Sequence, residues 1–245
     1  QVITDAGLEN LTINGNPSYV NSRGLYVPTA TVGAWLVRFR ISNVTIEYLG
    51  AEGIYLNAAF QDRISDFYME RVIVAGCTGT GLKIEGGVKG FLSQGCSIEG
   101  NGSTGSNVKI IPGSGLTPSG LAFYQCKFTG SSTQAIDVEI VGAERMVFLF
   151  CDFYDVNKLV RVSGVENAHI RFQYCTFRVS FNTTYYFHIS AGLEITISHC
   201  LFKAESASTA TTFIYCDGLV SDVPMFRIEE CGYEGNFTNH SSIPQ

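Results

Sequence analysis

The chain has 245 residues, 45% of them hydrophobic and 16% charged, with a formal net charge of −6 and a pI near 5.2. Such a composition belongs to packed globular proteins and excludes the disordered class. The acidic balance, with no Lys/Arg run, argues against a nucleic-acid or anionic-membrane partner, and no apolar stretch approaches the ~20 residues that span a bilayer.

One phrase recurs along the chain: an apolar residue, two turn-like residues, a key position, any residue, and a second apolar residue. In chain order it reads Leu8-Glu-Asn-Leu11-Thr-Ile13, Ile41-Ser-Asn-Val44-Thr-Ile46 and Ile64-Ser-Asp-Phe67-Tyr-Met69. From Ser93-Gln-Gly-Cys96-Ser-Ile98 onward the key position is cysteine, and Cys126, Cys151, Cys175, Cys200 and Cys231 follow, each two residues before Phe or Tyr. The residue before the key position is Asn10, Asn43, Asp66 or Gly95 in the first four copies, types that tolerate left-handed backbone. Gln125, Phe150, Tyr174, His199 and Glu230 hold that place later, so the corner there is expected to relax or become a bulge.

A second element follows each phrase: GLYV (24–27), GIYL (53–56), GLKI (81–84), NVKI (107–110), DVEI (137–140), LVRV (159–162), YFHI (186–189) and FIYC (213–216). Strict alternation of period two means strand, and nothing sustains the three-to-four spacing of a helix. Each unit therefore holds a bent strand pair and a third strand, and units of similar length stack most simply in parallel, like on like. The expectation is an all-β fold of about nine coils: one domain over 1–245, coils at about 7–233, and a polar tail at 234–245.

The coil length, the bent strand pair and the opening GLENLTINGN resemble the right-handed parallel β-helix of the pectate-lyase-like superfamily, and are especially similar to its phage and viral tailspike variants. The resemblance covers about residues 7–233. It implies a right-handed coil and an extracellular or virion-surface setting, but not an activity, since this scaffold carries lyases, hydrolases, adhesins and inert spikes. The polygalacturonase-like set (Asn-Thr-Asp, Asp-Asp, Gly-His-Gly, Arg-Ile-Lys) is missing, as is a clustered aspartate set of the calcium-holding kind.

The repeated cysteine reads as a ladder of buried thiols, small and apolar enough to repeat without changing core volume. Neighbours ~4.8 Å apart fall within disulfide range, but their parallel Cβ vectors would strain the bond. No Cys-x-x-Cys pair supports zinc, and neither metal nor cofactor is expected.

The outward slot of the third strand reads Tyr26, Tyr55, Lys83, Lys109, Glu139, Arg161, His188 and Tyr215. Either this is a solvated face whose charges pair weakly, or it is a sugar groove in which Tyr26, Tyr55, Lys83 and Lys109 bind substrate. A lyase reading makes Arg161, His188 and Tyr215 the base and charge-stabilising groups; a hydrolase reading uses Glu139 with Asp137, or Asp152 with Asp155. Trp35 is expected to pack against the coil end. Phe150, Tyr174, Leu201, Tyr186 and Phe213 mark an exposed apolar strip for side-by-side self-association, a trimer by the tailspike resemblance. Asn10 and Asn43 serve corners, whereas the sequons at Asn101, Asn182, Asn236 and Asn239 are glycosylation candidates. Three functions are thus open: a glycan-recognising surface module, a polysaccharide lyase or glycoside hydrolase, and a ligand-free glycosylated structural filament.

Overall fold

The computed structural model describes residues 2–29, 34–102, 106–113, 115–130, 136–154, 158–163, 169–179, 185–190, 194–204, 212–216 and 226–235. Its regular elements are all strands, in one eighteen-stranded and one eight-stranded sheet. Every pairing between strands is parallel and joins one coil to the next, as in Met146↔Ile170 and Val138↔Val160. The result is a parallel solenoid.

The larger sheet bends at a corner in each coil. Before the corner run strands such as Ser119–Tyr124, Glu144–Leu149 and His169–Gln173; after it come short strands such as Lys127–Thr129, Asp152–Tyr154 and Thr176–Val179. Inward residues stack by register. Phe123, Phe148 and Phe172 lie over one another with ring centroids 4.9 and 4.8 Å apart. Beyond the corner Phe128, Phe153, Phe177 and Phe202 repeat the arrangement at 5.0, 4.7 and 5.0 Å. All seven rings are fully buried, and two edge-to-face-packed files of this kind form the centre of the core.

The thiols stand in single file between these rings. The carbonyls of Val72, Cys96, Cys126, Cys151, Cys175 and Cys200 each accept the amide hydrogen of the residue after the key position one coil later, at 2.8–2.9 Å. From Cys126 onward each thiol also donates to a carbonyl of the coil before, as Cys151 does to Phe123 at 3.4 Å, Cys175 to Phe148 at 3.5 Å and Cys200 to Phe172 at 3.6 Å. Cysteine thus fills a small apolar slot and offers a weak donor to carbonyls at the bend. The six cysteines of the file are free.

Three expectations are corrected. The slot below Cys96 belongs to Val72, not Phe67, since Met69 pairs with Ile41 and Phe67 pairs with Phe91. The phrase Met69-Glu-Arg-Val72-Ile-Val74 fits the apolar frame as well as Ile64–Met69 does, and alternation alone cannot choose between overlapping frames. The corners do not relax: Gln125, Phe150, Tyr174, His199 and Glu230 keep left-handed φ between 50° and 55°. Finally, the described residues hold fewer than nine complete turns. The sheet of third strands has eight members, and the phrase around Cys231 has no third strand among the described residues.

Candidate functional site

The outward file of the third strands forms as expected, in unbroken register from Tyr26 through Tyr55, Lys83, Lys109, Glu139, Arg161 and His188 to Tyr215. Its members are occupied with one another. The Glu139 carboxylate accepts Lys109 at 2.8 Å and Ser106 at 3.2 Å and lies 3.7 Å from Arg161. The rings of Tyr26 and Tyr55 stack at 5.2 Å, with the Arg23 guanidinium 5.0 Å above the first and the Lys83 ammonium 4.3 Å above the second. The Tyr55 hydroxyl donates to Glu85, and burial with that carboxylate beside it pushes the phenol above its ordinary range. His188 is only 8% exposed and packs against the rings of Tyr185 and Tyr215.

The hydrolase pairings do not assemble as expected. Asp137 is fully buried rather than presented beside Glu139; its Oδ1 accepts Asn107 Nδ2 at 2.7 Å, and its Oδ2 has no partner. Burial raises its pKa to about 8, against the opposing pull of the Asn107 bond. Asp152 pairs with Arg178 at 3.2 Å, and Asp155 lies outside the described residues.

Among the glycosylation candidates, Asn101 is an interior residue. Its Oδ1 accepts the Cys77 amide at 2.9 Å, and its Nδ2 donates to the Val74 carbonyl at 2.8 Å, so the nitrogen a glycan would need is engaged inside the core. Asn182, Asn236 and Asn239 lie outside the described residues. Of the expected apolar strip, Phe150 and Tyr174 are exposed and stack at 5.0 Å, and Leu201 is half-buried. Tyr186 is instead fully buried, because it lies just before its third strand's inward Phe187 and its hydroxyl reaches the Lys203 carbonyl at 3.1 Å. The Phe213 side chain is not described.

The largest cavities open on the other sheet, ahead of the bend; of the third-strand file only Tyr26 lines a cavity among the described residues, one of about 320 Å³ shared with Trp35 and Phe39. Here a second file of left-handed residues runs Asp5, Arg38, Asp66, Gly90, Gly120 and Arg145. Asp5 and Arg38 form a two-pronged pair at 2.6 and 2.8 Å. Gly90 and Gly120 then leave a gap in the file, and a Cβ at Gly90 would stand 2.9 Å from Asp66 Oδ1. The gap is a cavity of about 430 Å³ walled by Asp66, Lys89 and Arg145, with Trp35 at one end. Trp35 is 37% exposed, not packed away, and the Arg63 guanidinium sits 4.1 Å above its ring.

Arg145 also lines the next cavity, of about 500 Å³, with Arg171, His169, Glu194, Val147 and Thr196. Val147 in turn borders a third, of about 320 Å³, floored by Leu92, Ala122 and Leu149. The three adjoin as a groove along the strand face, polar at one margin and apolar at the other. Sequence reading missed it. Lys89, Arg145 and Arg171 fall just ahead of a phrase, Asp66 reads as a corner residue, and the slot is made by two glycines thirty residues apart that only register brings together.

A family model described as a right handed beta helix region matches residues 52–218. The chain belongs to the right-handed β-helix family. This β-helix is similar to a solved chain of Geobacillus virus E2, ORF18, with a TM-score of 0.66 at 16% identity, covering 96% of this chain and 43% of that one. It thus spans less than half the length of the viral chain. It is also similar to the A-module of mannuronan C-5 epimerase AlgE4 from Azotobacter vinelandii, with a TM-score of 0.56 at 12% identity, covering 99% and 74% of the two chains. At these identities the likeness is one of fold. No curated protein sequence matches the β-helix.

Proposed function

We propose that this β-helix is a glycan-recognising module displayed on a virion or another extracellular surface. The observation that carries the reading is the groove of three adjoining cavities, with Trp35 at one end, an apolar floor at Leu92, Ala122 and Val147, and charged walls at Asp66, Lys89 and Arg145. A saccharide presents the matching surface: apolar ring faces that pack on aromatic and aliphatic side chains, and hydroxyls that bond to charged groups. A groove running across successive coils suits an extended chain of sugars better than a compact metabolite. The viral protein and the polysaccharide-modifying enzyme among the structural neighbours support the setting and the ligand class. Self-association, along the exposed edge of Phe150 and Tyr174, belongs to the same reading.

The third-strand file, with Tyr26, Tyr55, Lys83, Lys109, Glu139, Arg161, His188 and Tyr215, serves in this reading as a stiffening ladder, because Lys109 and Arg161 are answered by Glu139 and Lys83 by Glu85. A glycan array probed with the purified chain, followed by reducing-end and absorbance assays on every binder, tests the proposal. Binding without cleavage is the expected result. Cleavage would move the protein to the lyase or hydrolase class. Absence of binding across the array would overturn the reading.

A further inference from the structure

The groove contains two cations that no carboxylate among the described residues answers. Every other arginine of the chain meets a carboxylate at 3.7 Å or less or, for Arg63, the ring of Trp35. Arg145 and Arg171 have no such partner among the described residues, and both line the same cavity of about 500 Å³. Carboxylates are not scarce, since Asp and Glu number 22 against 16 Lys and Arg. The acid lining this cavity among the described residues, Glu194, is held by His169 Nδ1 at 2.6 Å rather than by either arginine.

Register brings the two arginines to neighbouring strands at the wall of one cavity. Arg171 stands directly opposite Val147, and Arg145 precedes Val147 by two residues on the exposed face of the same strand. Diagonal neighbours of this kind are roughly 7–8 Å apart at the backbone, within reach of long side chains meeting over a common point. Guanidinium is the group best shaped to grip a planar or tetrahedral oxyanion by paired N–H bonds. The floor below, Met146 and Ile170, is buried and apolar, and the carboxylate at the cavity wall, Glu194, is engaged by His169.

We propose that Arg145 and Arg171 form a subsite for a negatively charged substituent, a carboxylate or a sulfate, on the bound glycan. The inference rests on the reading that the groove binds glycans, and narrows it to acidic ones. In an otherwise acidic protein this pair supplies the local positive field that keeps such a chain from being repelled.

The test measures binding of a polyuronate, a sulfated galactan and a neutral dextran to the wild type, to the R145Q/R171Q double variant and to the R145K/R171K double variant, at low and high salt. Melting temperature serves as the folding control, since both side chains are exposed. The expected result is that one or both acidic polymers bind and the dextran does not. The Gln variant should lose about tenfold to a hundredfold, the Lys variant less, and salt should weaken only the arginine-dependent part. The polyuronate and sulfated arms tell which anion is read. Equal binding of neutral and acidic polymers, unchanged in the Gln variant, would overturn the subsite while leaving glycan recognition standing. Failure of all three polymers, together with a silent array, would overturn both.

Discussion

The Cys175 thiol points at the carbonyl oxygen of Phe148, one coil earlier, at 3.5 Å. The contact repeats between Cys151 and Phe123 and between Cys200 and Phe172, so each bend hands a weak donor to the coil before it. Cys175→Ala should remove both the sulfur volume and that donor. A loss of about 1–2 kcal/mol is expected, measured as a fall in the urea midpoint at unchanged slope.

The same burial governs thiol chemistry. Burial holds the thiols of Cys151 and Cys175 far above their ordinary range, and bonding to Cys151 together with burial raises Cys126 to about 11. Cys231, at the end of the file, is only half-buried, although what burial it has still raises its thiol. A thiol reagent applied to the native protein at mildly alkaline pH should therefore label Cys231 first among the six, and the others only on unfolding. Peptide mapping after a timed quench would show the order; rapid uniform labelling would contradict it.

Asp137 makes stability depend on pH. Its folded pKa of about 8 lies above the ordinary carboxylate value of 3.8, so the folded state holds a proton that the unfolded state releases. Between pH 4 and pH 8 this group should make the protein progressively less stable as pH rises, with no further change above. Asp137→Asn keeps an acceptor for Asn107 Nδ2 and removes the titration. The variant should match wild type near pH 4 and exceed it by a few kcal/mol at pH 8. Parallel denaturation profiles at the two pH values would refute the assignment.

The bend at Gln125 is held at φ 52° by a residue with a side chain exposed to solvent. Other coils place Asn10, Asn43 or Gly95 there. Left-handed backbone costs an ordinary L residue roughly 1–2 kcal/mol, part of which Gly forfeits in unfolded-state entropy. Gln125→Gly should therefore raise the melting temperature by a few degrees, as calorimetry would record.

Gly120 tests the groove independently of charge. Its φ of 64° suits Asn, and a Cβ there meets nothing closer than the Gly90 amide at 3.6 Å. Gly120→Asn should keep the fold while placing a side chain in the slot between Asp66 and Arg145. Glycan affinity should fall about tenfold or more with little change in stability; unchanged affinity would remove the slot from the binding path.

The architecture was legible because a parallel stack places like on like. The third-strand phrases and the cysteine file were readable from spacing alone, down to the pairing of Glu139 with Arg161. Register at Phe67 was not, because two overlapping frames share Met69 and both alternate correctly. The third-strand file drew notice for its chemistry, yet sequence does not show that Glu139 is already neutralised by Lys109. The groove was hidden for the opposite reason. Gly90 and Gly120 look like ordinary turn residues until they become neighbours, and Arg145 and Arg171 gain meaning only from the partners they lack.

Because every key position repeats the environment of the last, the chain can be edited like a spliced rope. Joining Cys151 directly to Thr176 recreates the junction Cys175 already makes, and Phe177 takes the equivalent place of the removed Phe153. Excising 152–175 should give a shorter rod that folds, reduced in length by one strand spacing of about 4.8 Å.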